Sequence, residues 1–210
     1  MKKITRRLSI HCNEHFIDIF GGIRCTILGD ITEASQRELI LPVDNYVLGE
    51  AIKTCLENSK ELTNDEWDAI YGTNDNEFYK SMQEKMEARI ASQIEKYGYK
   101  SEKAMYKNMN SCPLDVYDED IIQILPFIHE KLTVWGWPDI SIKIRYDTPI
   151  EVLGATVRYA FTKCKGKGSY TKGVEVVTNV LFPNEVPTSL EEYLESVDQN
   201  YDKWLIKEKS

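Results

Sequence analysis

The chain has 210 residues, 42% of them hydrophobic and 29% charged, and carries a net charge of −8. That length fits one large domain or two small ones, and it can bury a core without disulfides or a structural metal. The acidic balance, with a pI of about 5.1, excludes a dedicated nucleic-acid binder, which needs a positive face. It suits a basic protein partner if the acid is concentrated on one surface.

The basic start, Lys2-Lys3 and Arg6-Arg7, is not followed by the apolar run of a secretory signal. No window approaches the ~18 apolar residues of a membrane span. The cysteines Cys12, Cys25, Cys55, Cys112 and Cys164 are scattered without a Cys-x-x-Cys pair. This usage predicts reduced thiols and a cytoplasmic protein.

Three short β-rich segments open the chain: Leu8–Cys12, Phe16–Phe20 and Ile23–Leu28. Asn13-Glu14 and Gly21-Gly22 punctuate them in the manner of hairpin turns. A fourth strand is predicted at Glu38–Val43, running into Asp44-Asn45, which supplies a helix cap. Leu48, Ala51, Ile52, Cys55 and Leu56 then form one apolar stripe at helical spacing. Thr63-Asn64-Asp65-Glu66 has the capping-box pattern. A long helix follows from Asn76 to Tyr97, with Gly98 at its C-terminal stop.

The segment from Lys100 to Pro113 is ambiguous between helix and strand. Strands return at Ile121–Leu125 and Ile140–Tyr146. Thr148-Pro149-Ile150-Glu151 then opens a helix carrying Leu153, Val157, Ala160, Phe161 and Cys164 on one face. A glycine-rich loop over Gly166–Gly173, with Gly166 as the helix C-cap, leads to a strand at Val174–Leu181. Thr188-Ser189-Leu190-Glu191 caps a last helix, 188–206.

Segments 38–60 and 141–164 resemble each other: strand, Asp, cap, Leu-Gly, amphipathic helix. Leu48 matches Leu153, Gly49 matches Gly154 and Ile52 matches Val157 at an offset of 105 residues. Glycine inside a helix costs ~1 kcal/mol relative to Ala, so Gly49 and Gly154 predict close approach of each helix to another backbone. The fold class expected is α+β: a single domain over 1–210 with a mixed, mostly antiparallel sheet, packed helices and two pseudo-repeated strand-helix units. The two helices are expected to be related by an approximate two-fold.

Catalytic constellations are sparse. His129-Glu130 lacks the second histidine of a zinc helix, and the chain has only three histidines and no paired cysteines, so no metal or other cofactor is predicted. Cys112 is a nucleophile only with a histidine beside it in space, and otherwise a small buried thiol. The loop 165–173 carries three lysines, Lys165, Lys167 and Lys172, but follows a helix and precedes a strand, the wrong context for a phosphate cradle. A small enzyme using His129, Glu130 and Cys112, a nucleotide ligand at 165–173, and a general adaptor remain the alternatives.

The last helix carries the most suggestive surface. Glu191, Glu195, Asp198 and Asp202 form one stripe with Glu192 beside it, and no Lys or Arg occurs between Asn184 and Asp202. Either this is a solvated face, or it mimics a phosphate backbone for a basic ligand such as a nuclease's substrate groove.

Several blocks, in order, resemble the CdiI family, the immunity proteins of bacterial contact-dependent growth inhibition. They are Leu41-Pro42-Val43-Asp44 with Leu48-Gly49-Glu50-Ala51, Tyr97-Gly98-Tyr99-Lys100-Ser101, Tyr106–Cys112, His129-Glu130-Lys131-Leu132 with Trp135, Glu151–Ala155 and Arg158–Cys164. The resemblance covers residues 4 to 165 and leaves the acidic helix 188–206 outside it. It implies a non-enzymatic cytoplasmic protein that binds and blocks the toxic C-terminal domain of a delivered effector, often a nuclease. The family supplies no binding motif to transfer. The toxin-binding residues expected here are therefore Glu191, Glu192, Glu195, Asp198 and Asp202, with Lys167, Tyr170 and Lys172 of the basic loop. The partner is a protein, with neither nucleic acid nor membrane.

Overall fold

Alternation along the first strand decides which way the sheet faces. The computed structural model describes residues 3–25, 28–71, 75–118, 120–131, 134–136, 140–166 and 207–208. In β1 (Ile4–Cys12), Leu8, Ile10 and Cys12 are buried on one face, while Arg7, Ser9 and His11 take the other. β1 pairs antiparallel with β2 (Phe16–Phe20) across the Asn13-Glu14 turn, where the Asn13 carboxamide accepts from the His15 and Phe16 amides at 2.9 and 3.1 Å.

Gly21-Gly22 is not a hairpin turn, contrary to the sequence expectation. It carries the chain out of this sheet into a separate one, where β3 (Ile23–Cys25) pairs with β4 (Leu28–Asp30) and β6 (Lys60–Glu61). A glycine is needed there because Gly22 has φ +145°. β5 (Gln36–Ile40) returns to pair antiparallel with β2. It stops before Leu41-Pro42, so the predicted strand over 38–43 is shifted towards the N-terminus. α1 (Asn45–Glu57) begins under the Asp44 carboxylate, which accepts from the Val47 amide at 2.7 Å.

The capping box at α2 (Asn64–Tyr71) forms as predicted: the Thr63 amide donates to Glu66 at 2.8 Å and the Glu66 amide to the Thr63 hydroxyl at 3.3 Å. α3 (Asp75–Tyr97) ends at Gly98, φ +69°, with the Tyr99 amide returning to the Ile94 carbonyl. The ambiguous stretch after it resolves into α4 (Glu102–Tyr106) and the short strand β7 (Asn110–Ser111), which pairs with β1.

β8 (Leu114–Tyr117) pairs antiparallel with β1 and with β9 (Ile121–Ile124). β10 (Ile128–Lys131) and β11 (Val134–Gly136) form a hairpin beside the sheet, and β12 (Ile140–Arg145) pairs antiparallel with β9. α5 (Ile150–Lys163) starts one residue later than predicted. Pro149 is its N-cap, without a side-chain cap bond, and the Thr148 hydroxyl is buried without a partner. Gly166 is not a helix cap. Cys164 ends α5, and β13 (Lys165–Gly166) pairs parallel with β10. β14 (Lys207–Glu208) lies antiparallel on β12. The large sheet runs β14-β12-β9-β8-β1-β2-β5, with β7 on β1. This is a mixed α+β architecture in a single domain.

The units β1-β2-β5-α1 and β8-β9-β12-α5 share one order of elements, and β1 and β8 meet antiparallel between them. Ile17, Ile19, Ile122, Ile124, Ile142 and Ile144 all face α1 and α5 and join one core with Leu48, Ile52, Leu153, Val157 and Phe161. The helices meet at their glycines. A Cβ on Gly49 would fall inside the van der Waals radius of the Ile150 carbonyl oxygen, and one on Gly154 inside that of Asn45, 3.0 Å from the Gly49 nitrogen. Each obstacle is backbone, so no rotamer change relieves it.

This opposition gives a sign test. Helix propensity alone makes Gly154→Ala stabilising by ~1 kcal/mol, while overpacking against backbone costs ~1–3 kcal/mol or more. Urea unfolding of Gly154→Ala is expected to show a net loss of up to about 2 kcal/mol; a gain would mean the helices separate freely.

Candidate functional site

The sheet's second face carries Phe16, Asp18 and Phe20 from β2 and Gln36, Glu38 and Ile40 from β5, since these alternate with the residues facing α1. α3 crosses this face through polar contacts. Arg89 donates to Asp18 through Nε at 3.1 Å and through a second nitrogen, and also bonds Gln36. Glu38 accepts from Gln93 at 3.0 Å, Lys96 at 2.6 Å and Tyr97 at 2.9 Å, and Lys85 reaches Asp30 at 3.0 Å. Lys85, Arg89, Gln93 and Lys96 recur at helical spacing, so one face of α3 is a polar ladder beside the apolar Ile90 and Ile94, which pack with Phe16, Met105 and Met109.

Burial by itself would raise the Glu38 carboxyl, but the hydrogen bonds from Lys96, Gln93 and Tyr97 outweigh it and hold it below the ordinary carboxylate value. Between the ladder and β4–β5 lies a cleft of about 820 Å³ lined by Asp30, Glu33, Arg37, Glu38, Lys85 and Arg89 among others. It carries charges of both signs, some already paired as Lys85 is with Asp30, which suits a polypeptide segment better than a single ion.

β5 is the terminal strand, and among the described residues no strand pairs with its outer edge. Three apolar side chains are exposed where β5 leads into α1: Ile40 at 60% exposure, Tyr46 at 54% and Val47 at 39%. Exposed apolar surface next to a cleft and a terminal strand is the signature of a protein-contact region. Sequence reasoning passed these residues over, although Tyr46 and Val47 lie off the Leu48–Ile52 stripe of α1 and so could have been flagged.

A second cluster lies near the middle of the same face. His11 stacks on Trp135 at 5.0 Å between centroids, His129 stacks on it at 5.6 Å, and Phe20 meets His11 edge-on at 5.2 Å. Burial pushes His11 down to about 4; Asp18 pulls it up, and Arg89 and His129 push it further down.

The residues proposed for catalysis do not assemble. Cys112 is fully buried with its sulfur 3.4 Å from that of Cys164, and burial raises its thiol well above the ordinary value, with Cys164 and Cys12 adding to the rise. A nucleophilic cysteine needs the opposite shift. His129 is buried against Trp135, and Glu130 is exposed on β10. Among the described residues no group of His, Cys, Asp and Glu is arranged to hold a metal ion, and no helix is long and apolar enough to cross a membrane. The toxin-binding residues expected from sequence, Lys167, Tyr170, Lys172, Glu191, Glu192, Glu195, Asp198 and Asp202, lie outside the described residues, as do the predicted strand 174–181 and helix 188–206.

Residues 6–164 match the family model described as CdiI, CDI immunity protein. The immunity protein CdiI-YPIII of Yersinia pseudotuberculosis serotype O:3 (strain YPIII) is 30% identical over 171 residues, 75% of this chain and 94% of that protein. Among solved structures, a chain of the CdiA-CT/CdiI toxin and immunity complex from Yersinia pseudotuberculosis superposes with a TM-score of 0.63 at 22% identity, covering 79% of this chain and 100% of that one. NMB0488 from Neisseria meningitidis, a protein of unknown function, gives 0.61 at 23% identity over 77% of this chain and 96% of that one.

The low pKa of His11 makes the sheet face acid-labile. Its folded value lies below the ordinary 6.5, so the neutral ring contributes stability above pH 6.5 that is lost progressively as pH falls towards 4. The loss is on the order of 3 kcal/mol at 1.36 kcal/mol per unit. Glu38, also depressed, loses its contribution at lower pH still, as it protonates. Unfolding free energy measured between pH 6.5 and 4 is expected to fall less steeply in His11→Phe than in the parent. Equal slopes, or a His11 ring titrating near 6.5 by NMR, would contradict this placement.

Proposed function

The chain belongs to the CdiI family, the CDI immunity proteins, and from that premise we propose that it binds and occludes the toxic C-terminal domain of a cognate contact-dependent growth inhibition effector in the cytoplasm. The observation that carries the reading is the family match across residues 6–164, supported by likeness to a chain of a solved toxin and immunity complex. The role is inhibitory and not enzymatic. The buried, high-pKa Cys112 and the separate settings of His129 and Glu130 agree with that.

Occlusion needs an apolar anchor and a means of steering. Ile40, Tyr46 and Val47 supply exposed apolar surface for such a contact, and Tyr46 is of a type that often anchors interfaces. The acidic run Glu185–Asp202, with Glu191, Glu192, Glu195, Asp198 and Asp202 and no basic residue, supplies the charge that attracts a basic partner. Lys167, Tyr170 and Lys172, in the loop upstream, are the further polar contacts of this reading. A toxin with a basic substrate groove, as a nuclease has, is the partner this charge fits best.

Reversing two charges, Glu195→Lys with Asp198→Lys, is expected to weaken toxin affinity at low salt by about tenfold or more and to flatten its dependence on ionic strength. Thermal stability should hardly change. Affinities and salt slopes identical to the parent's would remove the acidic run from the interface and leave the β5 edge to carry it.

A further inference from the structure

We propose that the second face of the sheet holds a small oxyanion pocket, for a phosphate or carboxylate group, formed by Arg7, Arg24, Ser9, Ser111 and Trp135. The pocket is distinct from the β5 edge and does not depend on the toxin reading. It sits over the central strand pair, where Arg7, Ser9 and His11 of β1 lie opposite Asp115 and Ser111 on the face turned away from α1 and α5. Arg24 of β3 closes one side, with Phe127 and Trp135 also in the wall, around a volume of about 260 Å³. That space suits a single small acid and is below the ~300–1,000 Å³ of typical organic-ligand sites.

The case rests on an excess of donors. The partly buried Arg24 guanidinium makes no hydrogen bond among the described residues; the Glu61 and Asp115 carboxylates act on it through charge alone, and burial lowers its pKa below the ordinary value. Arg7 spends its Nε on Asp115 at 2.9 Å and keeps its terminal nitrogens. The Ser9 and Ser111 hydroxyls have no hydrogen-bond partner among the described residues, although Ser111 is only 4% exposed. The Trp135 Nε1 is buried without an acceptor. Asp115 is the one carboxylate in the lining, and Arg7 already occupies it.

A buried donor without an acceptor, as the Trp135 indole N–H is here, is rare in folded proteins and costs free energy comparable to a lost hydrogen bond. An anion meeting two guanidinium groups, two hydroxyls and an indole N–H satisfies them together through charge-assisted bonds. Glu61, across the β3–β6 ladder from Arg24, offsets part of the positive charge. The site therefore fits a singly or doubly charged small ion and not a polyanion.

The test titrates the full chain with sodium phosphate and, separately, sodium acetate at constant ionic strength held by chloride, following the indole N–H resonance of Trp135 by NMR. The signal is assigned by its loss in Trp135→Phe. A saturable shift is expected with at least one of the two. Phosphate alone identifies a tetrahedral ligand, and acetate acting as well identifies a carboxylate site. Arg24→Gln is expected to weaken the response about tenfold or more, with resonances distant from β3 unchanged. If that variant does not fold, Ser9→Ala with Ser111→Ala is expected to weaken it severalfold. No saturable shift with either ion, or a response that survives these substitutions unchanged, overturns the proposal.

Discussion

Two helices can lie this close only if neither carries a side chain at the crossing. At Gly49 and Gly154 the carbonyl oxygens of Ile150 and Asn45 occupy the space where Cβ atoms would be. This contact sets the distance between α1 and α5. Through the residues below them it also sets how β1, β2 and β5 meet β8, β9 and β12. Side chains such as Ile52 and Val157 fill the core between helices and sheet at a separation fixed by backbone, which is stiffer than any rotamer. The glycines forgo helix propensity to hold a shape.

With one face of the sheet sealed by α1 and α5, the other face is left for recognition. α3 is held there by Arg89, Gln93 and Lys96 on Asp18, Gln36 and Glu38, contacts that depend on ionisation. Apolar packing holds it at both ends, through Phe78 against Trp67 and Tyr71 and through Ile90, Ile94 and Tyr97. The cleft lies between α3 and β5, with Ile40 exposed at the end of β5 and Tyr46 and Val47 exposed in the first turn of α1. A terminal strand edge beside a polar cleft suits contact with a folded partner.

Much of this architecture was legible in the residues. The stripe from Leu48 to Leu56, the Thr63–Glu66 capping box and Gly98 obey local rules, and local rules suffice where a helix caps itself. Gly49 and Gly154 were legible for another reason: a costly residue at matched positions in two helices needs a tertiary cause. The errors fell where tertiary pairing decides. Gly21-Gly22 has the composition of a hairpin turn, yet β2 finds its neighbours in β1 and β5, and the glycines carry the chain to another sheet. Gly166 looked like a helix stop and instead pairs with His129 in a parallel ladder. The polar ladder of α3 went unrecognised because Lys85, Arg89, Gln93 and Lys96 are what a solvated helix face would also show. Only the partners Asp30, Asp18 and Glu38, distant in sequence, distinguish the two. The Arg24, Ser9 and Ser111 donors likewise come together only in the folded chain, with β7 paired on β1 and Arg24 brought in from the separate β3 sheet.

An inhibitor of this kind occupies its target one to one and does not alter it. The most direct measurement titrates the purified chain into a fixed concentration of its cognate toxin domain and follows toxin activity alongside the toxin's intact mass. Activity should fall linearly to zero at an equimolar ratio, with the mass unchanged and activity recovered when the complex is dissociated by denaturant and the toxin refolded. Complete inactivation at a small fraction of an equivalent, with a changed toxin mass, would mean catalysis and contradict the account.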